Sequence, residues 1–168
     1  MDVKIGSITY GPDASEAKKG KEAQSYAGTK LPFGFSVLGI ISNSNKGFKR
    51  LTKAFGRSLS EDNIDDVLDN FLDIEDGLAK IVARCFLEKL DEFLEFFSQQ
   101  TTYHVYASSL LFVYDYDALE SENCNLRDLV RLKLIDFAHV FPANGELDQN
   151  FLFGLRNLSG LFRKFLSK

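Results

Sequence analysis

Nine apolar side chains between Leu78 and Phe97 recur at helical spacing and hold one face for six turns: Leu78, Ile81, Val82, Cys85, Phe86, Leu90, Phe93, Leu94 and Phe97. A helix covering about 77–99 cannot bury such a stripe alone, so the rest of the chain must supply a surface for it. A closing helix over about 148–166 turns Phe151, Leu155, Leu158, Phe162 and Phe165 inward. A shorter one carries Ile64, Val67, Leu68, Phe71 and Leu72, and Ser58-Leu59-Ser60-Glu61 ahead of it fits a capping box.

The other segments alternate with period two. Residues 2–10 read as a strand that starts at the first residue. Residues 33–42 are a second strand, 103–114 a nearly continuous apolar run suited to a central strand, and 129–137 a fourth. Gly11-Pro12-Asp13 is turn chemistry. Residues 15–25 form a short exposed helix with Ser15 as candidate N-cap, 43–57 a polar, basic hairpin-like connection, and 115–128 a polar loop. The order is α+β, and a loop joining the last two strands implies that they pair antiparallel.

The charge is unevenly placed. Residues 1–57 hold 10 Lys and Arg against 4 Asp and Glu, a balance of +6; residues 58–168 hold 10 against 20, a balance of -10. An overall acidic chain is no general nucleic-acid binder, but its basic first third suits a smaller anion. Helix 61–76 carries eight acids and no Lys or Arg, and reads as a solvated face. With 45% hydrophobic and 26% charged residues the composition is that of a soluble globular domain. No apolar run approaches the ~20 residues of a membrane span, and no signal-peptide pattern is present. Cys85 and Cys124, with two histidines, lack metal-site spacing; Cys85 reads as a core thiol in a reducing compartment.

Three constellations carry chemistry. In Asp2-Val3-Lys4-Ile5-Gly6 the acid and the lysine share a strand face, so one can orient a hydroxyl and the other neutralise a phosphate. The same spacing also describes an exposed strand-edge ion pair. Leu134-Ile135-Asp136-Phe137-Ala138-His139 puts a carboxylate at the end of an apolar strand, where it can hold Mg²⁺ between phosphates or merely cap a turn. The third is Lys18, Lys19 and Lys21, with Lys49, Arg50, Lys53 and Arg57 further on: donors for phosphate oxygens, or a solvated face.

Together these segments resemble the inositol polyphosphate kinase family. Asp2 to Gly6 looks like the Asp-x-Lys-x-Gly end of its Pro-x-x-x-Asp-x-Lys-x-Gly motif, without the leading Pro-x-x-x. Tyr106-Ala-Ser-Ser-Leu-Leu-Phe-Val-Tyr114 looks like its Ser-Leu-Leu strand, Leu134 to His139 its Ile-Asp-Phe segment, and Phe55-Gly-Arg-Ser-Leu59 also matches. Asp148-Gln-Asn-Phe-Leu-Phe-Gly-Leu155 is similar to its Asp-x-Gly-Tyr-x-x-Gly-Leu, with Asn150 in place of the Gly. The multikinase branch is most similar, and the hexakisphosphate-kinase branch is the nearest alternative.

The resemblance implies that residues 1–168 form the C-terminal lobe of a two-lobed, kinase-like fold, an antiparallel sheet with packed helices, and that the N-terminal lobe is absent. Residues 13–57 would be the inositol-phosphate-binding segment. The implied activity is ATP-dependent phosphorylation of hydroxyls on soluble inositol polyphosphates, with ATP and Mg²⁺ as cofactors. The competing expectation is a truncated, non-catalytic inositol-phosphate-binding module. Carried over, Asp2, Lys4 and Asp136 are catalytic, with Asp136 the metal ligand; Asp2, Leu110, Ile135 and Asp136 bind nucleotide. Lys4, Lys18, Lys19, Lys21, Arg57 and His139 bind substrate. The family further implies a monomer of the cytoplasm and nucleus, without nucleic-acid partners or a transmembrane segment.

Overall fold

The computed structural model describes residues 1–44, 46–119 and 126–168. Its centre is β1 (Asp2–Ile5), hydrogen-bonded on both sides, antiparallel to β2 (Phe35–Ser44) and to β5 (Ser109–Tyr114). Strand β3 (Gly47–Leu51) extends the sheet beyond β2, and β6 (Val130–Ile135) beyond β5, giving the order β3-β2-β1-β5-β6. The antiparallel β5–β6 pair is the one expected from the loop between them.

Strand β1 is shorter than its alternating sequence suggests. At Gly6 the backbone enters the positive-φ region (φ 107°), open to a residue without Cβ, and its N–H donates to Gly34 O at 2.6 Å. Residues 7–10 therefore leave the sheet, and Ile8 is exposed. The run 103–114 also divides. Ala107 has φ 57°, which turns the chain and sends β4 (Tyr103–Tyr106) to a separate two-stranded sheet with β7 (His139–Pro142).

Two helices in the basic first third were not anticipated. The first, α2 (Ala27–Phe33), follows α1 (Glu16–Gln24) after a break at Ser25 and Tyr26, and Pro32 in its last turn obscured it. In α1 itself Ser15 caps as expected, its Oγ accepting from Lys18 N. The second, α3 (Lys53–Ser58), closes the connection after the β2–β3 hairpin. It also overrides the capping box: Ser58 Oγ donates to Phe55 O, and Asn63 Oδ1 accepts the Ser60 N–H. Helix α4 (Asp66–Phe71) begins after that turn. Within 115–128, α6 (Tyr116–Leu119) and α7 (Leu126–Leu129) replace the expected loop at either end; 120–125, with Cys124, lie outside the described residues.

The two long helices match their stripes. Helices α5 (Asp76–Phe97) and α8 (Gln149–Ser167) pack on the face of the sheet that carries Val3, Ile5, Phe35, Val37, Leu110 and Phe112, all fully buried. Aromatic rings form the seam: Phe86 meets Phe112 at 5.2 Å and Phe162 at 6.0 Å, and Phe97 stacks on Phe151 at 4.2 Å. Ile81 departs from its stripe and is exposed, while Ala79 and Ala83 take the buried positions. Cys85 is half-buried and packs against this core.

One polar and one steric device hold the layers in register. Asp148, almost fully buried, caps α8 by accepting from Phe151 N at 2.9 Å and takes Val105 N of β4 at 2.7 Å on its other oxygen. Gly154 of α8 lies against Gly34, so close that a Cβ would collide with the Gly34 carbonyl oxygen. No helix among the described residues is long and apolar enough to cross a membrane.

Gly154→Ala should cost about 2–3 kcal/mol, the scale of overpacking into backbone. Gly160→Ala, on the same helix with nothing within 4 Å, should gain about 0.5–1 kcal/mol. Urea unfolding midpoints check both. Hydrogen bonds from Lys164 to Asp65, and from Lys49 to Asp73, hold these carboxyls below their ordinary 3.8, so the folded state favours their charged form. That stabilisation is fully present above pH 3.8 and lost as the pH falls through the lowered values. In acid titrations an Asp65→Asn/Asp73→Asn variant should therefore lose less stability below that pH than the parent.

Candidate functional site

Because β1 is central and its side chains alternate, Val3 and Ile5 enter the core while Asp2 and Lys4 point to the opposite, open face of the sheet. A cleft of about 1260 Å³ lies over that face, lined among others by Asp2, Lys4, Arg50, Arg131 and Asp136. Asp2 and Lys4 on one strand and the sequence-distant Asp136 thus meet in one concavity. Asp136 follows β6 directly, and β6 lies two strand spacings from β1, roughly 10 Å.

Asp136 stands in the left-handed region at φ 66°, and the Ser108 hydroxyl donates to its carbonyl oxygen at 2.9 Å. Ser108 is itself fully buried at the β4–β5 break. The Asp136 carboxylate is exposed at the cleft and makes no hydrogen bond or ion pair among the described residues, so it caps no turn. One free carboxylate at a cleft suits Mg²⁺, which takes one or two protein carboxylates and completes its shell from phosphates and water. Among the described residues there is no cluster of three His, Cys, Asp or Glu that could hold a metal by itself.

At Asp2, Oδ1 is buried without a partner. Lys4 lies near Lys30, a lysine that the sequence reading did not single out. Lys30 is almost fully buried in α2, and its ammonium donates to Glu22 O at the end of α1. Burial pushes its pKa below the ordinary 10.5; the Glu22 charge opposes this and the Lys4 charge adds to it.

The basic segment divides on folding. Lys18 Nζ lies 3.5 Å from His139 Nε2, so α1 and β7 bring these two candidates together. Lys21 is exposed in the last turn of α1. Arg57 stands over the Tyr26 ring, its guanidinium carbon 5.5 Å from the centroid. Arg50 and Lys53 line the cleft. Lys19 instead pairs with Glu16 at 2.7 Å, and Lys49 with Asp73 at 2.6 Å, which pins the β2–β3 hairpin to the segment after α4. Their charge is spent locally, and the fold accounts for both.

Two nucleotide-side assignments need correction or restriction. Leu110 is fully buried on the core face, in register with Val3, and Leu111 lines the cleft in its place. The reason is strand parity: a one-residue step reverses the face. Ile135 is half-buried and shares a cross-strand row with Ser109 and Lys4, but is not among the residues lining the cleft. Asn150 does specific work: its carboxamide accepts from Ile8 N at 2.9 Å and donates to Ile8 O at 3.0 Å, clamping the segment that leaves β1 to the first turn of α8.

A family model described as inositol polyphosphate kinase matches residues 1–163. The chain is 31% identical to an inositol polyphosphate multikinase of Schizosaccharomyces pombe and 32% identical to inositol polyphosphate multikinase alpha of Arabidopsis thaliana. Each match covers 99% of the chain and 63% of the relative. It is 28% identical to inositol hexakisphosphate kinase 3 of Mus musculus, over 97% of the chain and 46% of that protein. A solved inositol phosphate multikinase superposes with TM-score 0.83 at 30% identity, covering 99% of this chain and 78% of that one. Another, from S. cerevisiae and in complex with ADP and Mn²⁺, shares the fold with TM-score 0.82 at 23% identity, covering 98% and 77%. The chain therefore spans somewhat less than two thirds of the length of the two multikinases it matches in sequence.

The Asp136 backbone yields a direct test of what its carboxylate is for. If the acid had a structural role, removing it would destabilise the fold. With the side chain unbonded, Asp136→Gly should instead be neutral or up to about 1 kcal/mol more stable, and Asp136→Val about 1–2 kcal/mol less stable. Chemical denaturation of the two variants measures the difference.

Proposed function

Because the chain belongs to the inositol polyphosphate kinase family, we propose that it forms the substrate- and metal-binding lobe of an ATP-dependent kinase acting on hydroxyls of soluble inositol polyphosphates. The observation that carries this reading is the convergence of Asp2, Lys4 and Asp136 on one cleft. The ADP and Mn²⁺ bound by the yeast structure agree with nucleotide and divalent-metal use, and we assign Mg²⁺ as the working ion.

Phosphoryl transfer needs positioning and charge neutralisation more than covalent help from the protein. Asp136 would hold Mg²⁺, and the ion would supply Lewis-acid neutralisation of charge on the transferred group. The Lys4 ammonium adds a second positive charge from the middle of the sheet. The Asp2 carboxylate accepts a hydrogen bond from the acceptor hydroxyl and fixes its direction. Lys18, His139 and Arg57 receive the phosphates that the substrate already carries, with Lys21 as a further exposed cation. The open sheet face around Leu111 gives the nucleotide an apolar wall.

Among the two branches, the higher identity to multikinases than to the hexakisphosphate kinase supports the multikinase type. We extend the reading to a monomer working in cytoplasm and nucleus, on the strength of the family resemblance.

With MgATP and inositol trisphosphate, the protein should release ADP and give a more highly phosphorylated inositol. Asp136→Asn should lower turnover by at least about 100-fold, the scale of losing one transition-state charge stabiliser. Its affinity for inositol trisphosphate should stay within about threefold of the parent, the metal-bound nucleotide being a separate contact. Arg57→Ala should raise KM about tenfold and change kcat less. Binding of inositol trisphosphate without turnover would favour a non-catalytic binding module.

A further inference from the structure

Helix α1 carries Lys18 and Lys21, two cations assigned above to the substrate, yet it has little of its own to hold it in place. None of its described side chains is buried, so it presents no apolar stripe to the core. At nine residues it is also too short to stay helical without tertiary support.

What holds it is polar and converges on Glu22, in its last turn. The Glu22 carboxylate accepts from the Thr9 hydroxyl at 2.8 Å, and Thr9 is almost fully buried in the segment that leaves β1. The Glu22 carbonyl accepts from the Lys30 ammonium and also from Ser25 N at 3.2 Å. Lys30 is only 2% exposed. Its own backbone is fixed on both sides: Lys30 N donates to Tyr26 O at 2.8 Å, and Gly34 N donates to Lys30 O at 3.0 Å. Among the described residues the Glu22 carbonyl is the one acceptor that the Lys30 ammonium has. A buried ammonium is costly, and burial holds its pKa below the ordinary 10.5; a methionine would fill the same space without that cost. Near the other end of α1, Lys18 Nζ lies 3.5 Å from His139 Nε2. The helix is thus pinned at its last turn and aimed at the site by its first.

We propose that Lys30 is a positioning residue for substrate binding, which rests on the inositol-phosphate reading above. Together with Thr9 it anchors Glu22, and so keeps α1 where Lys18 and Lys21 receive phosphates of the substrate. Lys30 itself does not touch the substrate. Without the anchor α1 opens from its C-terminal end, and apparent affinity falls by the fraction of time that the helix is in place.

Anchor and substrate are read separately on the 168-residue chain. Trypsin cleavage after Lys18, Lys19 and Lys21 reports opening of α1, and isothermal titration with inositol trisphosphate reports affinity. Lys30→Met keeps the length of the side chain and removes the donor. Cleavage within α1 should accelerate about tenfold and the trisphosphate Kd should rise about fivefold. The thermal midpoint should stay at or above that of the parent, because a buried charge is gone. A lysine needed only for the fold would lower the midpoint instead. In a Lys18→Ala/Lys21→Ala background Lys30→Met should cost no further affinity, since the cations it positions are absent. Thr9→Val removes the second tether at nearly constant volume and should move cleavage and Kd in the same directions, which decides the matter should Lys30→Met not fold. Unchanged cleavage in the folded variants, or an affinity loss that persists in the Lys18→Ala/Lys21→Ala background, would overturn the inference and leave the proposed function standing. A parent chain that binds no inositol trisphosphate would overturn both.

Discussion

Everything in this molecule is arranged around a four-residue strand that is hydrogen-bonded along both edges. Strand β1 takes β2 on one side and β5 on the other, and its alternation divides Val3 and Ile5 from Asp2 and Lys4. The core and the chemical face are therefore two sides of the same four residues. A slip of one position would place the acid and the lysine among Phe86, Phe112 and Phe162, so the apolar layer that stabilises the fold also fixes where the site points. The strand's exit is held as firmly: Gly6 turns the chain, Gly34 receives its N–H, Gly154 lets α8 approach Gly34, and Asn150 clamps Ile8.

Charge is handled by the same division of labour. Of the basic residues in the first third, Lys46 and Lys49 neutralise Asp73, Lys19 neutralises Glu16, and Lys30 is buried against a carbonyl. Lys4, Arg50 and Lys53 face the cleft, and Lys18 meets His139 at 3.5 Å. The +6 balance of residues 1–57 is thus partly structural, and the part left over for an anion is smaller and better localised than composition suggests. Exposed ion pairs of this kind contribute little energy each; those of Lys46 and Lys49 tie the β2–β3 hairpin to Asp73, and that of Lys19 lies within α1.

Among the described residues four non-glycine positions have positive φ, one of which, Asn144, follows β7. Tyr26, Ala107 and Asp136 all have positive φ, and each stands at a junction that aims functional groups: Tyr26 under Arg57, Ala107 where β4 leaves β5, Asp136 at the cleft. Such conformations persist because buried neighbours over-determine them. For Asp136 the neighbour is the Ser108 hydroxyl; for Tyr26 it is the first turn of α2.

The long helices, the antiparallel β5–β6 pair, the N-cap at Ser15 and the motif residues Asp2, Lys4 and Asp136 were all legible in the linear chain. Each depends on spacing within one segment, where period and local hydrogen bonding set the outcome. Leu110, Tyr26, Lys30, the failed capping box at Ser58 and the split of 103–114 were not. Which face a residue in a run such as Ser109–Tyr114 presents depends on its register with β1, and which lysines remain available depends on acids brought in from elsewhere, as Asp73 is for Lys49. The amino-acid sequence by itself determined the elements, the apolar surfaces and the motifs; tertiary structure alone decided parity, pairing and the partnerless polar atoms, because those are properties of contacts between segments far apart along the chain.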